Sequence, residues 1–251
     1  MKLIRLIYIS VILTTFSLNA QQPTDCSNAI IVCGNSNVVL DANGIGIQEL
    51  SGSNTCGSQE TNSVWLKVNI VTSGTLGFTL TPQTTSLYED YDFFVFGPNV
   101  DCGNIGQAIR CSTTHPPSAG LANNLTGMNG SETDTAEGPG ADGNSFVSWL
   151  NVTAGESYFV VIDRWAGSNS FNLEWTGTAE FAEPPSNQVV SGTALNLEKC
   201  DVVAPFDDGF TEFDLGVNST SIIGAQNDVV VSYHASESDA IVNINPLISP
   251  Y

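Results

Sequence analysis

The chain has 251 residues, of which 13% are charged against about 25% in an average soluble protein, and the charges divide as 26 Asp and Glu against 6 Lys and Arg. A formal net charge of -20 excludes a nucleic-acid-binding surface of the ordinary kind, because a phosphate backbone is held by clustered Lys and Arg. With 41% hydrophobic and 9% aromatic residues there is side-chain volume for a packed core, so the charge does not mean disorder.

The chain opens on Lys2 and Arg5, an apolar stretch from Leu6 to Leu13, and small and polar residues up to Ala20. That order predicts a secretory signal peptide over residues 1–20, cleaved after Ala20. Its apolar run is shorter than the roughly 18 residues that span a bilayer, and no later run matches it, so no membrane insertion is expected once it is removed. All six cysteines (Cys26, Cys33, Cys56, Cys102, Cys111 and Cys200) lie beyond the cleavage point, which in an exported chain favours disulfides over metal thiolates. Cys102 and Cys111 bracket a short Gly-containing segment and are expected to pair. The pairing of Cys26, Cys33 and Cys56 stays open.

Apolar residues alternate from Ser63 to Trp175, as in strands with one face in a core. Val64, Leu66, Val68 and Ile70 are followed, after Thr72-Ser73-Gly74, by Leu76, Phe78 and Leu80, which predicts a hairpin. Asp92 to Phe96 is a further strand ended by Gly97-Pro98. Phe146 to Val152 and Tyr158 to Asp163 flank Ala154-Gly155-Glu156 and read as a second hairpin; Phe171, Leu173 and Trp175 line another strand. Residues 21–182 are therefore expected to form an antiparallel β-sandwich, jelly-roll or CUB-like, with Ser112 to Ser145 as a long surface excursion. Residues 183–188, with Pro184-Pro185, read as a stiff linker. Residues 189–251 hold strand-like Thr211 to Leu215 and Val229 to Tyr233 but are too few for a full Ig-like sandwich of about 100 residues, so a truncated Ig-like β domain is expected.

The residues resemble a family at this point. Cys26-Ser-Asn-Ala29-Ile-Ile-Val-Cys33, Ser63-Val-Trp65-Leu-Lys67, Gly74-Thr-Leu-Gly-Phe78, Asp90-Tyr-Asp92-Phe-Phe-Val-Phe-Gly97, Ile109-Arg110-Cys111-Ser112 and Thr126-Gly127-Met128-Asn129 look like the N-terminal module of large secreted surface proteins of Bacteroidetes. Glu198-Lys-Cys200-Asp201, Phe213-Asp214-Leu215, Val231-Ser-Tyr233-His234 and Ser238-Asp-Ala240 are similar to the Ig-like repeat that follows in such chains. The resemblance implies gliding-motility-associated proteins with a type IX secretion sorting domain at the far C-terminus, and a secreted or cell-surface location. It also implies further domains beyond Tyr251, and a partner for Cys200 among them that leaves this cysteine unpaired here.

Candidate chemistry is sparse. Asp90 and Asp92, two apart on a strand, project from one face roughly 6.5 to 7 Å apart; with Asp134 and Asp142 of the excursion, and Glu132 and Glu137 beside them, they could hold calcium, a hard ion taking six to eight oxygens. The competing reading is solvated acids in an acidic protein. His115 and His234 are not spaced as H-E-x-x-H and no G-x-S-x-G occurs. Gly44-Ile-Gly46 reads as a turn. Trp65, Trp149 and Trp175 lie in alternating strands and are expected in the core, whereas Trp165, beside Gly167 at a turn, is the aromatic expected to touch a ligand. The sequence thus points to a non-enzymatic adhesion or binding module for a polysaccharide or surface ligand, with an accessory domain of a secreted hydrolase as the alternative.

Overall fold

In the computed structural model, which describes residues 23–202, 204–206, 208–226, 229–241 and 243–251, the alternating segments become the strands of two mixed sheets. The signal peptide expected over residues 1–20 lies outside the described residues. In chain order the strands are β1 (Ile30–Val32), β2 (Val38–Leu40), β3 (Ser63–Thr72), β4 (Gly74–Pro82), β5 (Asp90–Phe96), β6 (Arg110–Ser112) and β7 (Thr126–Asn129). They continue with β8 (Ala136–Glu137), β9 (Phe146–Ser148), β10 (Leu150–Val152), β11 (Ser157–Ala166), β12 (Phe171–Gly177) and β13 (Glu180–Phe181). One sheet runs β1-β3-β11-β5-β6-β8 with β13 also on β3, the other β2-β12-β4-β7-β9 with β10 also on β4. The pairs β1/β3, β6/β8 and β7/β9 are parallel; the other ladders are antiparallel.

Both expected hairpins are instead crossings between sheets. β3 and β4 belong to opposite sheets, as do β10 and β11. Alternation marks the face that meets the core, and two strands facing the same core from opposite layers carry the same pattern as two strands side by side. The crossing after β3 is tight: a Cβ on Gly74 would stand 2.7 Å from the Thr178 carbonyl carbon. The stretch from Ser112 to Ser145 is likewise more than a surface excursion. It supplies β7, whose Met128 is fully buried opposite Phe78, and Gly127 has φ +154 with no room for a Cβ against the Phe78 carbonyl.

Between the sheets lies a core of Val64, Leu66, Phe78, Leu80, Tyr91, Phe93, Val160, Ile162, Phe171 and their neighbours. A second apolar cluster covers the outer face of the seven-stranded sheet, built from Trp65, Phe94, Phe96, Phe159 and Val161 under Leu50, Cys26 and Cys111. β5 is buried at all seven positions because its odd-numbered residues enter the first cluster and Phe94 and Phe96 the second, which is why Phe93-Phe-Val-Phe96 reads as an unbroken apolar run.

Two disulfides fasten that cover: Cys26–Cys102 and Cys56–Cys111. The expected Cys102–Cys111 bridge does not form. β6 places Cys111 opposite Phe94 on the covered face, beside Cys56 of the covering segment, while Cys102 in the loop after β5 returns to Cys26. Cys33 and Cys200 are free. Two disulfides fit an oxidising compartment, extracellular or periplasmic, and no helix among the described residues is long and apolar enough to cross a membrane.

The chain divides into two compact units, Met1–Ala182 and Glu183–Tyr251. The second unit contains a 3-10 turn at Leu215–Asn218 and two short helices, α1 (Ser219–Ile223) and α2 (Glu237–Ile241). Its strand-like segments find isolated partners in place of a ladder: Phe213 and Tyr251 exchange backbone hydrogen bonds of 2.7 and 2.9 Å, and Leu247 N–H donates to the Tyr233 carbonyl. Among its described residues no strand forms. Ser186 and Gln188 of the proline-rich stretch bond to Gln226 and to the Ile222 carbonyl of α1.

Candidate functional site

The site grows out of two neighbouring strands where the outer cover ends. On β5, Asp90 and Asp92 share a face with Phe94 and Phe96; on β11, Asp163 sits directly opposite Asp92. Arg164 pairs with Tyr91 and Ala166 with Asp90, so Trp165 falls in a register shift with no opposite number. An extra residue of this kind turns its side chain out of the ladder's alternation. Trp165 is 48% exposed, whereas Asp90, Asp92 and Asp163 are 2%, 3% and 0% exposed.

These groups bound an open cavity of about 550 Å³ lined by Asp90, Asp92, Trp165, His115, Ser58 and Gln59, among others. The volume lies within the range of about 300 to 1,000 Å³ typical of small-ligand pockets. The Ser58 hydroxyl donates to Asp92 Oδ2 at 3.1 Å, and His115 Nδ1 lies 2.7 Å from the Ser118 hydroxyl. Asp163 Oδ1 accepts the N–H groups of Thr61 and Asn62 at 2.7 and 2.8 Å, which ties the end of the cover to β11. Asp90 Oδ1 and Asp163 Oδ2 are buried without a donor.

Burial raises all three carboxyls, because a charged form away from water loses its solvation. Asp90 is pushed up to about 7 by burial. Asp92 rises well above the usual carboxylate range through burial first and then the charges of Asp90 and Asp163. Asp163 rises to about 6 through burial, held back by the two backbone donors. The basic groups are turned elsewhere. Arg164, one residue on from Asp163 and therefore on the opposite face, pairs with Asp41 at 2.6 Å.

A fourth buried acid organises the cover and was not singled out by the sequence. The Glu60 carboxylate accepts from Ser63 Oγ at 2.5 Å and Trp65 Nε1 at 2.9 Å with one oxygen, and from the N–H groups of Glu49 and Leu50 with the other. Nothing in the spacing of Glu60 distinguishes it from a solvated loop acid; its partners come from residues 49–50 and from β3.

The four acids expected to hold calcium are not assembled. Asp90 and Asp92 line the cavity, and neither Asp134 nor Asp142 does. Asp134 and Asp142 act instead on Glu137, which is pushed up to about 7 by burial and then by Asp134, and Glu132 accepts from Asn144 Nδ2. Among the described residues no three His, Cys, Asp or Glu are grouped to hold a metal ion. Of the tryptophans, Trp65 and Trp175 are core residues as expected, while Trp149 is 38% exposed. It sits between β9 and β10, its ring against Gly130.

Residues 196–251 match the family described as the Flavobacterium inter-domain disulphide bond domain, and Cys200 lies within the match. Among solved structures the chain is similar to PliG of Aeromonas hydrophila, a periplasmic lysozyme inhibitor of g-type lysozyme. The two share 9% identity over 60% of this chain and 96% of that one, with a TM-score of 0.29, too loose a superposition to establish a common fold. No curated protein matches.

Proposed function

We propose that this chain is part of an exported, non-enzymatic binding module of a larger surface protein, and that the cavity between Trp165 and the Asp90–Asp92 wall receives its ligand, a polysaccharide or another surface polymer. The observation that carries the reading is the placement of Trp165: a large apolar ring, displaced from the ladder, stands half exposed beside carboxyls that are almost wholly buried. An indole face stacks on a sugar face, and buried acceptors fix the orientation of what lies on it.

Raised carboxyls in a cleft also suit acid–base catalysis. Against that, Asp90 and Asp92 come from one face of one strand, whereas a glycosidase sets its two acids on either side of the scissile bond. The resemblance to secreted Bacteroidetes proteins supports adhesion, with gliding motility and type IX secretion as the setting, and leaves an accessory domain of a hydrolase as the second use of the same binding site. Cys200, exposed, free and inside the matched segment, is the residue we assign to a bond with another domain.

The test is retention of the purified protein on insoluble polysaccharides, with release of reducing ends followed in the same samples. Retention that Trp165→Ala weakens, without release, supports the reading. Release abolished by replacing one acid or His115 would overturn it in favour of an enzyme.

A further inference from the structure

In the cavity wall the Ser58 hydroxyl donates to Asp92 Oδ2, but Asp90 receives no donor at its Oδ1. Asp90 is 2% exposed and its Oδ1 has no partner, and leaving a buried acceptor unmade is costly, more so when it is charged. Such groups persist in native structures where something supplies the missing partner. The protein supplies none to Asp90 Oδ1: His115, which lines the same cavity, bonds through Nδ1 to the Ser118 hydroxyl, and every Lys and Arg among the described residues is engaged elsewhere. Arg164 pairs with Asp41, Arg110 donates to the carbonyls of Ser148, Ile109 and Trp149, Lys67 lies over the Phe159 ring, and Lys199, in the second unit, donates to the Glu212 carbonyl.

We propose that the cavity takes an amino sugar, with the protonated amine of a glucosamine-type residue set against Asp90 and Asp92 and its ring face on Trp165. The inference rests on the reading of the cavity as the ligand site and names the chemistry of the ligand. An ammonium group brings three donors and no acceptor, and its positive charge favours the ionised form of the neighbouring carboxyls, which then only accept; that charge is further favoured by the face of an indole. A bare divalent ion fits less well. Calcium takes six to eight oxygens, among the described residues no three His, Cys, Asp or Glu side chains are placed to hold a metal ion, and the cavity of about 550 Å³ is far larger than an ion. The formal charge of -20 adds a field that concentrates a cationic polymer at the surface. Asp163, behind Asp92 on β11, supplies negative charge to the same wall.

Titration calorimetry near neutral pH, with a fully deacetylated chitosan tetrasaccharide and its fully N-acetylated counterpart, tests this on the whole chain. The deacetylated form should bind tighter by about tenfold or more, the factor carried by one charge-assisted hydrogen bond. Asp90→Asn should remove that preference, and Trp165→Ala should weaken both forms. Equal affinity for the two forms, lost in Trp165→Ala, would overturn the amine and leave the cavity as the binding site. Binding of neither form would overturn both. Asp90-dependent binding of calcium chloride, or of a tetralysine peptide, without binding of the deacetylated sugar would assign the wall to an ion or a protein side chain and overturn the amino sugar.

Discussion

Asp92 on β5 and Asp163 on β11 stand opposite each other, both buried, with Asp90 beside them on the same face, and among the described residues no Lys or Arg forms an ion pair with any of the three. Like charges this close, away from water, are held in the fold by everything else around them. In the folded protein these groups hold protons that the unfolded chain releases from about pH 4 upward.

Stability should therefore fall as pH rises. The folded-state values of Asp90 (about 7) and Asp163 (about 6) are raised, so between about pH 4 and 7 the folded state binds more protons than the unfolded one and each step up in pH favours unfolding. Glu137, also at about 7, acts in the same direction. Melting temperature should decline across that window and level off above it. Asp90→Asn should flatten the decline and melt higher at neutral pH; an unchanged profile would mean that Asp90 is solvated.

Glu60→Ala removes the acceptor for two hydroxyl and indole donors and two backbone N–H groups at once. With buried donors left unmade at about 1 to 3 kcal/mol each, a loss of about 3 kcal/mol or more is expected in denaturant unfolding. Near-UV circular dichroism should show Trp65 losing its fixed environment. A loss under about 1 kcal/mol would place Glu60 among ordinary surface acids.

Non-reduced peptide mapping should recover Cys26 linked to Cys102 and Cys56 linked to Cys111. The bridges close separations of 76 and 55 residues, each worth about 4 kcal/mol in the chain-entropy account. Since both anchor the outer cover, reduction should expose the Trp65 cluster before the inter-sheet core opens. A Cys102–Cys111 peptide would contradict the structure.

Calcium provides a separate check on the acidic wall. Since no three His, Cys, Asp or Glu side chains among the described residues are placed to hold a metal ion, melting in calcium and in chelator should give the same midpoint. A calcium-dependent rise that Asp90→Asn abolishes would show that water or ligand oxygens complete a coordination shell there.

The sandwich was legible because alternation reports burial directly. Val64 to Ile70 and Leu76 to Leu80 are core-facing as expected; what alternation does not encode is whether the next strand lies beside its predecessor or across from it. The site was legible in part for the same reason. Period two places Asp90 and Asp92 on one face, and the turn-like Arg164-Trp165-Ala166-Gly167 marks Trp165 as exposed. Their meeting in one cavity was not legible, because it depends on the β5/β11 register, set some 70 residues apart in sequence. The disulfides misled on distance along the chain: Cys102 and Cys111 are near in sequence, but β6 intervenes and carries Cys111 toward a different partner.

The central claim is that ligand lies on Trp165. Intrinsic fluorescence of the purified chain, titrated with a soluble polysaccharide fragment that it retains, reads this directly, since Trp65 and Trp175 are buried and only Trp149 and Trp165 among the four are substantially exposed. A saturable change in emission is expected that persists in Trp149→Phe and disappears in Trp165→Phe. A change that persists undiminished in Trp165→Phe would contradict it and move the binding surface away from the cavity.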